Sequence, residues 1–241
     1  MKPTTRFSGR ARAYAAFRPS YPPAAIDAAL DGLGDPSSLT IADVGAGTGI
    51  SSRLFADRGV AVIAIEPNAA MREAARPHPR VIWREGSAER TGLADAAVDA
   101  IVACQAFHWF AGDQAFAEFR RVARRRAAVL QYERDERDAF TKAYGDIVRA
   151  YATDDTEALR RRALEAFAAF PRASITRSAH ASRQRLDRNA LVGRAASASY
   201  LPSAGPTAEA LHRDLLALFD EHARDGSVEL VMVTHVLVAG W

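Results

Sequence analysis

The chain has 241 residues, of which 49% are hydrophobic and 25% charged, values typical of a globular protein. This composition excludes a disordered or collagen-like chain. The single cysteine, Cys104, has no partner for an internal disulfide and cannot form a zinc cluster. The net charge of +3 gives no argument for a nucleic-acid partner. No apolar run approaches the ~18 residues of a membrane span, and the first residues lack the apolar core of a signal peptide. A cytoplasmic protein without membrane contact is therefore expected.

Strands and helices are predicted to alternate through the first half of the chain. Strands that are apolar on both faces and separated by helices favour a parallel sheet covered on both sides. In chain order, apolar periodicity predicts strand Leu39–Val44, helix Ile50–Arg58, strand Val60–Ile65, helix Ala69–Ala75, strand Arg80–Glu85, strand Val98–Cys104, helix Asp113–Arg124 and strand Ala127–Tyr132.

The second half follows a looser pattern that is richer in helices. Its two strands are expected to join the same sheet, with the helices lying over the sheet edge. In chain order, the pattern predicts helix Phe140–Tyr151, helix Thr156–Phe170, strand Ser174–Ser182, helix Leu191–Ser199, loop Leu201–Pro206, helix Ala208–His222 and strand Glu229–Val238.

A glycine-rich loop directly follows the first predicted strand. Gly45, Gly47 and Gly49 alternate in the segment Ile41–Ile50, and glycine lets backbone N–H groups approach a ligand without an intervening Cβ. The loop opens into a predicted helix, whose N-terminus favours negative charge. Glu66 ends the second strand 21 residues after Gly45, where a carboxylate can accept both hydroxyls of a ribose. These features predict a site for a cofactor that carries a ribose diol.

Three interpretations of the loop are open at this point. A nicotinamide dinucleotide fold requires G-x-G-x-x-G, but Ile50 stands where the third glycine belongs. The observed G-x-G-x-G, with Asp43 two residues before it, resembles the first motif of class I methyltransferases, which bind S-adenosylmethionine. A plain strand-to-helix turn is the third interpretation, although three alternating glycines exceed what a simple turn needs.

The resemblance to class I methyltransferases extends through Glu66–Met71 and Gly86–Phe110. It implies an adenine pocket after the third strand, with Met71 either on the adenine face or in the core. Many family members carry Asp where this chain has Ser87, so Ser87 and Glu89 are alternative partners of the adenine amine. The predicted S-adenosylmethionine site comprises Asp43, Gly45, Ala46, Gly47, Gly49, Glu66, Pro67, Met71, Ser87, Ala88, Glu89 and Gln105.

Three further segments, Ala13–Pro22, Gln105–Phe110 and Val231–Val238, narrow the resemblance to small-molecule methyltransferases related to trans-aconitate methyltransferase. This resemblance implies a doubly wound, Rossmann-like α/β fold with a seven-stranded, mostly parallel sheet, an N-terminal lid and a helical cap insert. Arg124–Arg126 replaces the Gly-Gly turn that the family usually has before the fifth strand, and it is expected to form a shorter surface turn. The predicted organisation is one methyltransferase domain, 1–241, made of an N-terminal lid or helix at 1–38, a cofactor-binding core at 39–135, and cap helices with the last two strands at 136–241.

Methyl transfer from a sulfonium is an in-line displacement in which alignment and exclusion of water do most of the work. It requires no metal, and it requires a general base only when the acceptor oxygen carries a proton. His108 follows the fourth predicted strand and is the candidate catalytic base, with a purely structural histidine as the alternative. Trp109 and Phe110 either wall the acceptor pocket or anchor the next helix. The predicted substrate-binding residues are Tyr14, Arg18, Tyr21, His108 and Trp109. The first three belong to the lid that the resemblance implies, and a solvated helix cap is the alternative for that segment.

The sequence thus predicts S-adenosylmethionine-dependent methyl transfer to oxygen, in a carboxylate or a hydroxyl group, of a small-molecule substrate. The alternatives are an RNA or protein methyltransferase, a dehydrogenase, and a non-catalytic S-adenosylmethionine-binding protein. The basic runs Arg120–Arg121, Arg124–Arg126 and Arg160–Arg162 are the features that suggest RNA. Acidic residues nearby favour a solvated face for these runs, so no nucleic-acid partner is expected.

Overall fold

A computed structural model describes residues 16–241, so Tyr14 of the predicted lid lies outside the described residues. Its centre is a seven-stranded sheet in the order β3-β2-β1-β4-β5-β7-β6. The strands are β1 (Thr40–Val44), β2 (Ala61–Ile65), β3 (Val81–Arg84), β4 (Val98–Cys104), β5 (Ala123–Arg134), β6 (Ser174–Leu186) and β7 (Val228–Gly240).

Helices connect the strands and lie on both faces of the sheet. They are α1 (Pro23–Leu30), α2 (Ile50–Ala56), α3 (Ala69–Glu73), α4 (Asp113–Val122), α5 (Ala139–Tyr151), α6 (Thr156–Ala168), α7 (Arg188–Ala196) and α8 (Pro206–His222), with 3₁₀ turns at Pro36–Ser38 and Phe107–Trp109. Several begin at a side chain that accepts a backbone N–H of the first turn, which satisfies one of the free donors there. These capping residues are Asn68, Asp138, Asp155 and Asp187. Within residues 16–241, no helix has both the length and the apolar character needed to cross a membrane.

The strand order places a crevice above β1 and β4. β1 through β5 pair in parallel, and the chain runs outward from β1 to β3 on one side before it returns to β4 and β5 on the other. Ligands of open α/β sheets bind outside the carboxyl ends of the strands where the order reverses in this way. β7 inserts antiparallel between β5 and β6, which confirms the predicted seven-stranded, mostly parallel sheet.

The core has two layers because the central strands bury both of their faces. Ile41 and Val102 face one cluster, while Ala42 and Ile101 face the other. Helix α4 contributes the predicted apolar stripe to the second cluster, and Phe119 is wholly buried there. Each such side chain contributes roughly 1.5–3 kcal/mol through burial.

The prediction of a surface turn at Arg124–Arg126 is wrong, because these residues form the start of β5. The side chain of Arg124 bonds the Ala96 carbonyl and Asp99, and those of Arg125 and Arg126 reach backbone carbonyls between α1 and β1. Arg125 donates to the carbonyls of Gly32 and Leu33 at 3.0 and 2.7 Å, and Arg126 donates to that of Asp31 at 2.6 Å. Charged residues can therefore extend the strand, since their stems pack and their guanidinium groups find acceptors.

Helix α1 lies in the segment 1–38, for which the sequence predicts a lid or helix without giving its bounds. Pro23 occupies its first turn, where the missing N–H costs nothing. Ala25, Ile26, Ala29 and Leu30 are buried, and the helix packs against β6 and β7. The spacing of these four residues is the helical signal that sequence analysis missed.

Candidate functional site

The glycine-rich loop between β1 and α2 adopts the left-handed backbone that favours glycine. φ is +71° at Gly45, +59° at Gly47 and +72° at Gly49. The backbone N–H groups of Gly45 and Ala46 both donate to the carbonyl of Ile65, at 2.9 and 3.1 Å. These bonds tie the loop to the carboxyl end of β2.

Two of the glycines are also required by space. A Cβ on Gly45 would stand 2.6 Å from the Cβ of Ala106 and 3.3 Å from a ring carbon of Phe110. A Cβ on Gly49 would stand 2.8 Å from the indole of Trp83. Gly45 therefore permits close approach at the crevice, whereas Gly49 permits packing against β3.

Glu66 follows β2 and is held by the loops on either side of it. One carboxylate oxygen accepts the N–H of Gly47 and the other accepts the N–H of Asn68, each at 2.9 Å. Arg72 donates to the Glu66 carbonyl at 2.6 Å. Burial raises the pKa of the Glu66 carboxyl, although the two backbone N–H groups and the charge of Arg72 oppose the shift. The side chain is thus fixed in orientation.

These elements enclose a cavity of about 250 Å³ at the carboxyl ends of β1, β2 and β4. The glycine loop and Glu66 form one side, and the residues after β3 and β4 form the rest. The lining residues are Gly45, Gly47, Glu66, Pro67, Asn68, Met71, Ser87, Ala88, Glu89, Cys104, Gln105, Ala106, Trp109 and Phe110.

Gln105, the first residue after β4, has a left-handed backbone with φ of +54°. This conformation is uncommon for residues with a side chain and is often found at functional sites. The backbone N–H of Gln105 donates to the Leu130 carbonyl, and its side-chain amide donates to the Tyr132 carbonyl, both at 2.8 Å. These bonds to β5 hold Gln105 in the cavity wall.

Asp43 lies beneath the glycine loop and is wholly buried. One of its carboxylate oxygens accepts the hydroxyls of Ser51 and Ser52, at 2.7 and 2.6 Å, which ties β1 to the first turn of α2. Burial raises the pKa of Asp43 to about 6, and the charge of Glu66 adds to the rise, while the serine hydroxyls oppose it. Asp43 thus supports the loop from behind.

A second, narrower cavity of about 20 Å³ adjoins the first. The rings of Tyr21 and Tyr132 lie beside it with centroids 5.7 Å apart. The two cavities share Gly45 and Cys104 in their linings. The lining of the second cavity comprises Arg18, Pro19, Tyr21, Gly45, Ala46, Ile50, Ser51, Cys104 and Tyr132.

Comparison with known proteins finds a family match for the part of the chain that holds the first cavity. Residues 42–130, from β1 to β5, match the family model described as a methyltransferase domain. This part of the chain is therefore similar to methyltransferase domains.

Relatives and a solved structure that are named as methyltransferases match further parts of the chain. An uncharacterized methyltransferase of Mycobacterium tuberculosis is 35% identical over 145 residues, which cover 59% of this chain and 58% of that protein. An uncharacterized methyltransferase of Schizosaccharomyces pombe is 34% identical over 111 residues, which cover 45% of this chain and 44% of that protein. The matched part thus spans less than two thirds of these relatives. A solved structure, provisionally assigned as a type II methyltransferase from Anaeromyxobacter dehalogenans, covers 93% of this chain and 97% of its own at 26% identity and a TM-score of 0.66. The narrower resemblance to trans-aconitate methyltransferase stays a prediction.

The fold brings most of the predicted cofactor residues to one cavity. Asp43, Ala46 and Gly49 do not line it. Asp43 supports the loop, Ala46 faces the second cavity, and Gly49 packs under Trp83. The predicted residues that do line the cavity are Gly45, Gly47, Glu66, Pro67, Met71, Ser87, Ala88, Glu89 and Gln105.

The predicted substrate residues divide between the two cavities. Trp109 lines the first, and Arg18 and Tyr21 line the second. His108 is buried in the same 3₁₀ turn as Trp109, with ring centroids 4.4 Å apart, but it is not among the residues that line either cavity. Its assignment as the catalytic base stays a prediction.

Sequence analysis assigned three of the lining residues, Asn68, Cys104 and Ala106, to no site. Asn68 lies inside the segment that resembles the family, and its side chain caps α3 by accepting the N–H of Met71 at 3.3 Å. Its position in that segment was the available signal. Cys104 and Ala106 flank Gln105 inside Gly86–Phe110, which also resembles the family, so the same signal was available for them.

Proposed function

We propose that this methyltransferase transfers a methyl group from S-adenosylmethionine to an oxygen atom of a small-molecule acceptor. The observation that carries the proposal is the hydrogen bond between Glu66 and the N–H of Gly47, which joins the ribose-type carboxylate and the glycine loop at one cavity. A carboxylate in this position, next to a loop without side chains, suits a nucleoside that carries a ribose diol.

The chemistry of the lining fits S-adenosylmethionine. Glu66 would accept the ribose hydroxyls, and the segment Ser87–Glu89 with Met71 would hold the adenine. Gln105 would face the methionine portion. A Cβ on Gly45 would clash with Ala106. The shape of this side of the cavity therefore requires a residue without a side chain at position 45.

When bound, S-adenosylmethionine supplies the electrophilic methyl group of its sulfonium, which an acceptor oxygen takes as the carbon–sulfur bond breaks. The protein's contribution is to align the acceptor and to exclude water, and the apolar wall of Ala106, Trp109 and Phe110 serves the second purpose. A carboxylate acceptor needs no base, because its oxygen carries no proton. A hydroxyl acceptor loses one, and His108 is the candidate to receive it.

Two of the three basic runs, Arg120–Arg121 and Arg124–Arg126, favour a small-molecule acceptor over a nucleic acid. Arg121 pairs with Glu118 and Asp95, and Arg124 pairs with Asp99. Guanidinium groups held by carboxylates on the same molecule contribute little to phosphate binding. The cytoplasmic location inferred from the single cysteine stays a prediction.

Titration calorimetry tests the proposal most directly. S-adenosylmethionine and its demethylated product are expected to bind the wild-type chain with one site, and NADH at the same concentrations is expected not to bind. Product release in the presence of a panel of carboxylic acids and phenols then tests turnover. Binding of NADH without binding of S-adenosylmethionine would overturn the proposal.

A further inference from the structure

A short extended segment before α1, residues 17–21, lies against the glycine loop, and we call it the strap. Its residues Arg18, Pro19 and Tyr21 form one part of the lining of the second cavity. The rest of that lining comes from the glycine loop, the start of α2 and the ends of β4 and β5. Because the space between them is only about 20 Å³, the strap lies close against the loop.

Gly193, in the interior of α7, makes room for the aromatic side chain of the strap. A Cβ on Gly193 would stand 2.6 Å from Cδ2 and Cε2 of Phe17 and 2.7 Å from its Cγ. Rotation of the ring leaves Cγ in place, so any side chain at position 193 would displace the whole side chain of Phe17. Glycine is less favourable than alanine inside a helix. What position 193 gains from glycine is therefore the contact with the strap.

Hydrogen bonds fasten the strap to the same part of the fold. The guanidinium of Arg18 donates to the carbonyl of Ser197, the residue that ends α7, at 3.2 Å, and to the hydroxyl of Tyr132 at 3.4 Å. The side-chain amide of Gln184 on β6 donates to the Phe17 carbonyl at 3.2 Å. The strap thus joins α7 and β6, from the second half of the chain, to the glycine loop.

The strap covers a wall that the two cavities share. Gly45 and Cys104 line both cavities, so this wall alone separates the space under the strap from the cofactor cavity. A lifted strap would let water reach the wall and would remove a support of the glycine loop. Methyl transfer depends on exclusion of water from the site, so the position of the strap bears on the reaction.

We infer that Gly193 is a positioning residue for the methyl-transfer site, because it seats Phe17 and thereby holds the strap closed over the glycine loop. The closed strap retains the bound cofactor. Gly193 acts only through the strap, since it is not among the residues that line either cavity. This inference rests on the proposed function and adds to it the means by which the site is closed.

The single cysteine of the chain allows the strap to be observed directly. Cys104 is 6% exposed and lines the cavity under the strap, so a thiol reagent reaches it faster when the strap lifts. The probe is methyl methanethiosulfonate, added to the full chain without any ligand, with the modified fraction followed by mass spectrometry. A second series uses the chain saturated with S-adenosylhomocysteine, which fills the first cavity and leaves access from the strap side.

Gly193→Ala is expected to raise the rate of Cys104 modification at least about tenfold. Tenfold corresponds to about 1.4 kcal/mol, within the cost of forcing a methyl group into a packed contact. Asn189→Ala is the matched control, because Asn189 is an exposed residue of the same helix, and its rate is expected to equal that of the wild type. A Gly193→Ala variant that reacts no faster than Asn189→Ala would overturn the inference.

Phe17→Ala separates the contact from other effects of the substitution at Gly193. It is expected to raise the rate as Gly193→Ala does, and the double variant is expected to react no faster than Phe17→Ala alone. Because Phe17 is half-buried, this variant also serves where Gly193→Ala fails to fold. Rates that multiply in the double variant would show that Gly193 acts elsewhere and would contradict its role.

Cofactor release tests the link between the strap and the reaction. S-adenosylhomocysteine is expected to dissociate at least about tenfold faster from Gly193→Ala and from Phe17→Ala than from the wild type, as followed by stopped-flow tryptophan fluorescence. Faster modification of Cys104 with an unchanged dissociation rate would show that the strap does not retain the cofactor, and would overturn the inference. Failure of the proposed function has a separate signature, because the wild type would then not bind S-adenosylhomocysteine at all.

Discussion

The carboxylate of Glu66 accepts the backbone N–H of Gly47 at 2.9 Å, so the end of β2 and the glycine loop form one unit. We expect Glu66→Gln to weaken S-adenosylmethionine binding by about 10- to 150-fold, since a hydrogen bond to a charged group contributes about 1.5–3 kcal/mol. Calorimetry measures the change. Glu85→Gln is the control, because Glu85 is an exposed carboxylate that pairs with Arg72 outside the cavity. Equal loss of affinity in both variants would contradict the role of Glu66.

Gly45 and Gly92 allow two reasons for requiring glycine to be measured separately, namely a positive φ and a lack of space for a Cβ. Both have positive φ, +71° and +73°, but only a Cβ on Gly45 would meet a neighbour, since nothing lies within 4 Å of one on Gly92. Gly92→Ala should lose roughly 1–2 kcal/mol of unfolding free energy through backbone strain. Gly45→Ala should lose about 1–3 kcal/mol more through overpacking against Ala106. Urea unfolding measures both, and equal losses would show that Gly45 is not constrained by space.

The buried carboxyl of Asp43 should make stability depend on pH. The folded protein keeps the Asp43 proton up to about pH 6, whereas the unfolded chain releases it near 3.8. The folded state therefore binds more protons between these values, and the free energy of unfolding falls as pH rises from about 4 to about 6. A difference of about two pKa units corresponds to about 3 kcal/mol.

Asp43→Asn should remove this fall, and denaturant titrations at several pH values measure it. Asp99→Asn provides a control of opposite sign. Although partial burial raises the pKa of Asp99, the N–H of Thr40 and the guanidinium of Arg124 together lower it. Asp99 thus contributes stability that is lost as pH falls below its ordinary range. If the free energy of unfolding depended on pH in the same way in Asp43→Asn as in the wild type, Asp43 would not be the source of the fall.

His108 provides a kinetic test of the acceptor class. With an acidic acceptor whose oxygen carries no proton, we expect His108→Asn to lower kcat less than about tenfold, against the ~10²–10⁴-fold typical of losing a general base. Turnover with the best acid from the screen measures the change. A loss of about a hundredfold or more would establish His108 as the base.

Much of the sheet is predictable because its strands are buried on both faces. Runs such as Leu39–Val44 and Val98–Cys104 carry apolar residues at successive positions, which only a covered parallel strand requires. The glycine loop and Glu66 are predictable for a related reason. Their chemistry is local in sequence, and the fold brings the ends of β1 and β2 together whatever the rest of the chain does.

Features built from distant residues were not predictable. Arg125 extends β5 because the carbonyls of Gly32 and Leu33 accept its guanidinium, and no local pattern reveals acceptors so far away in the chain. The same is true of Arg194 and Tyr132, which meet only because α7 packs against β6 and α8. Sequence periodicity reports which face of an element is apolar, but it does not report which elements meet.

Cys104 lies in the common wall of the two cavities, and the protonation state of its thiol determines whether its sulfur can react as a nucleophile. Burial and the nearby charge of Asp43 hold the pKa of the thiol well above its usual range. The thiolate, rather than the thiol, is the nucleophile, so the sulfur is inert at neutral pH. Under the proposed function, S-adenosylmethionine would lie near this sulfur, and the protonated thiol would resist methylation.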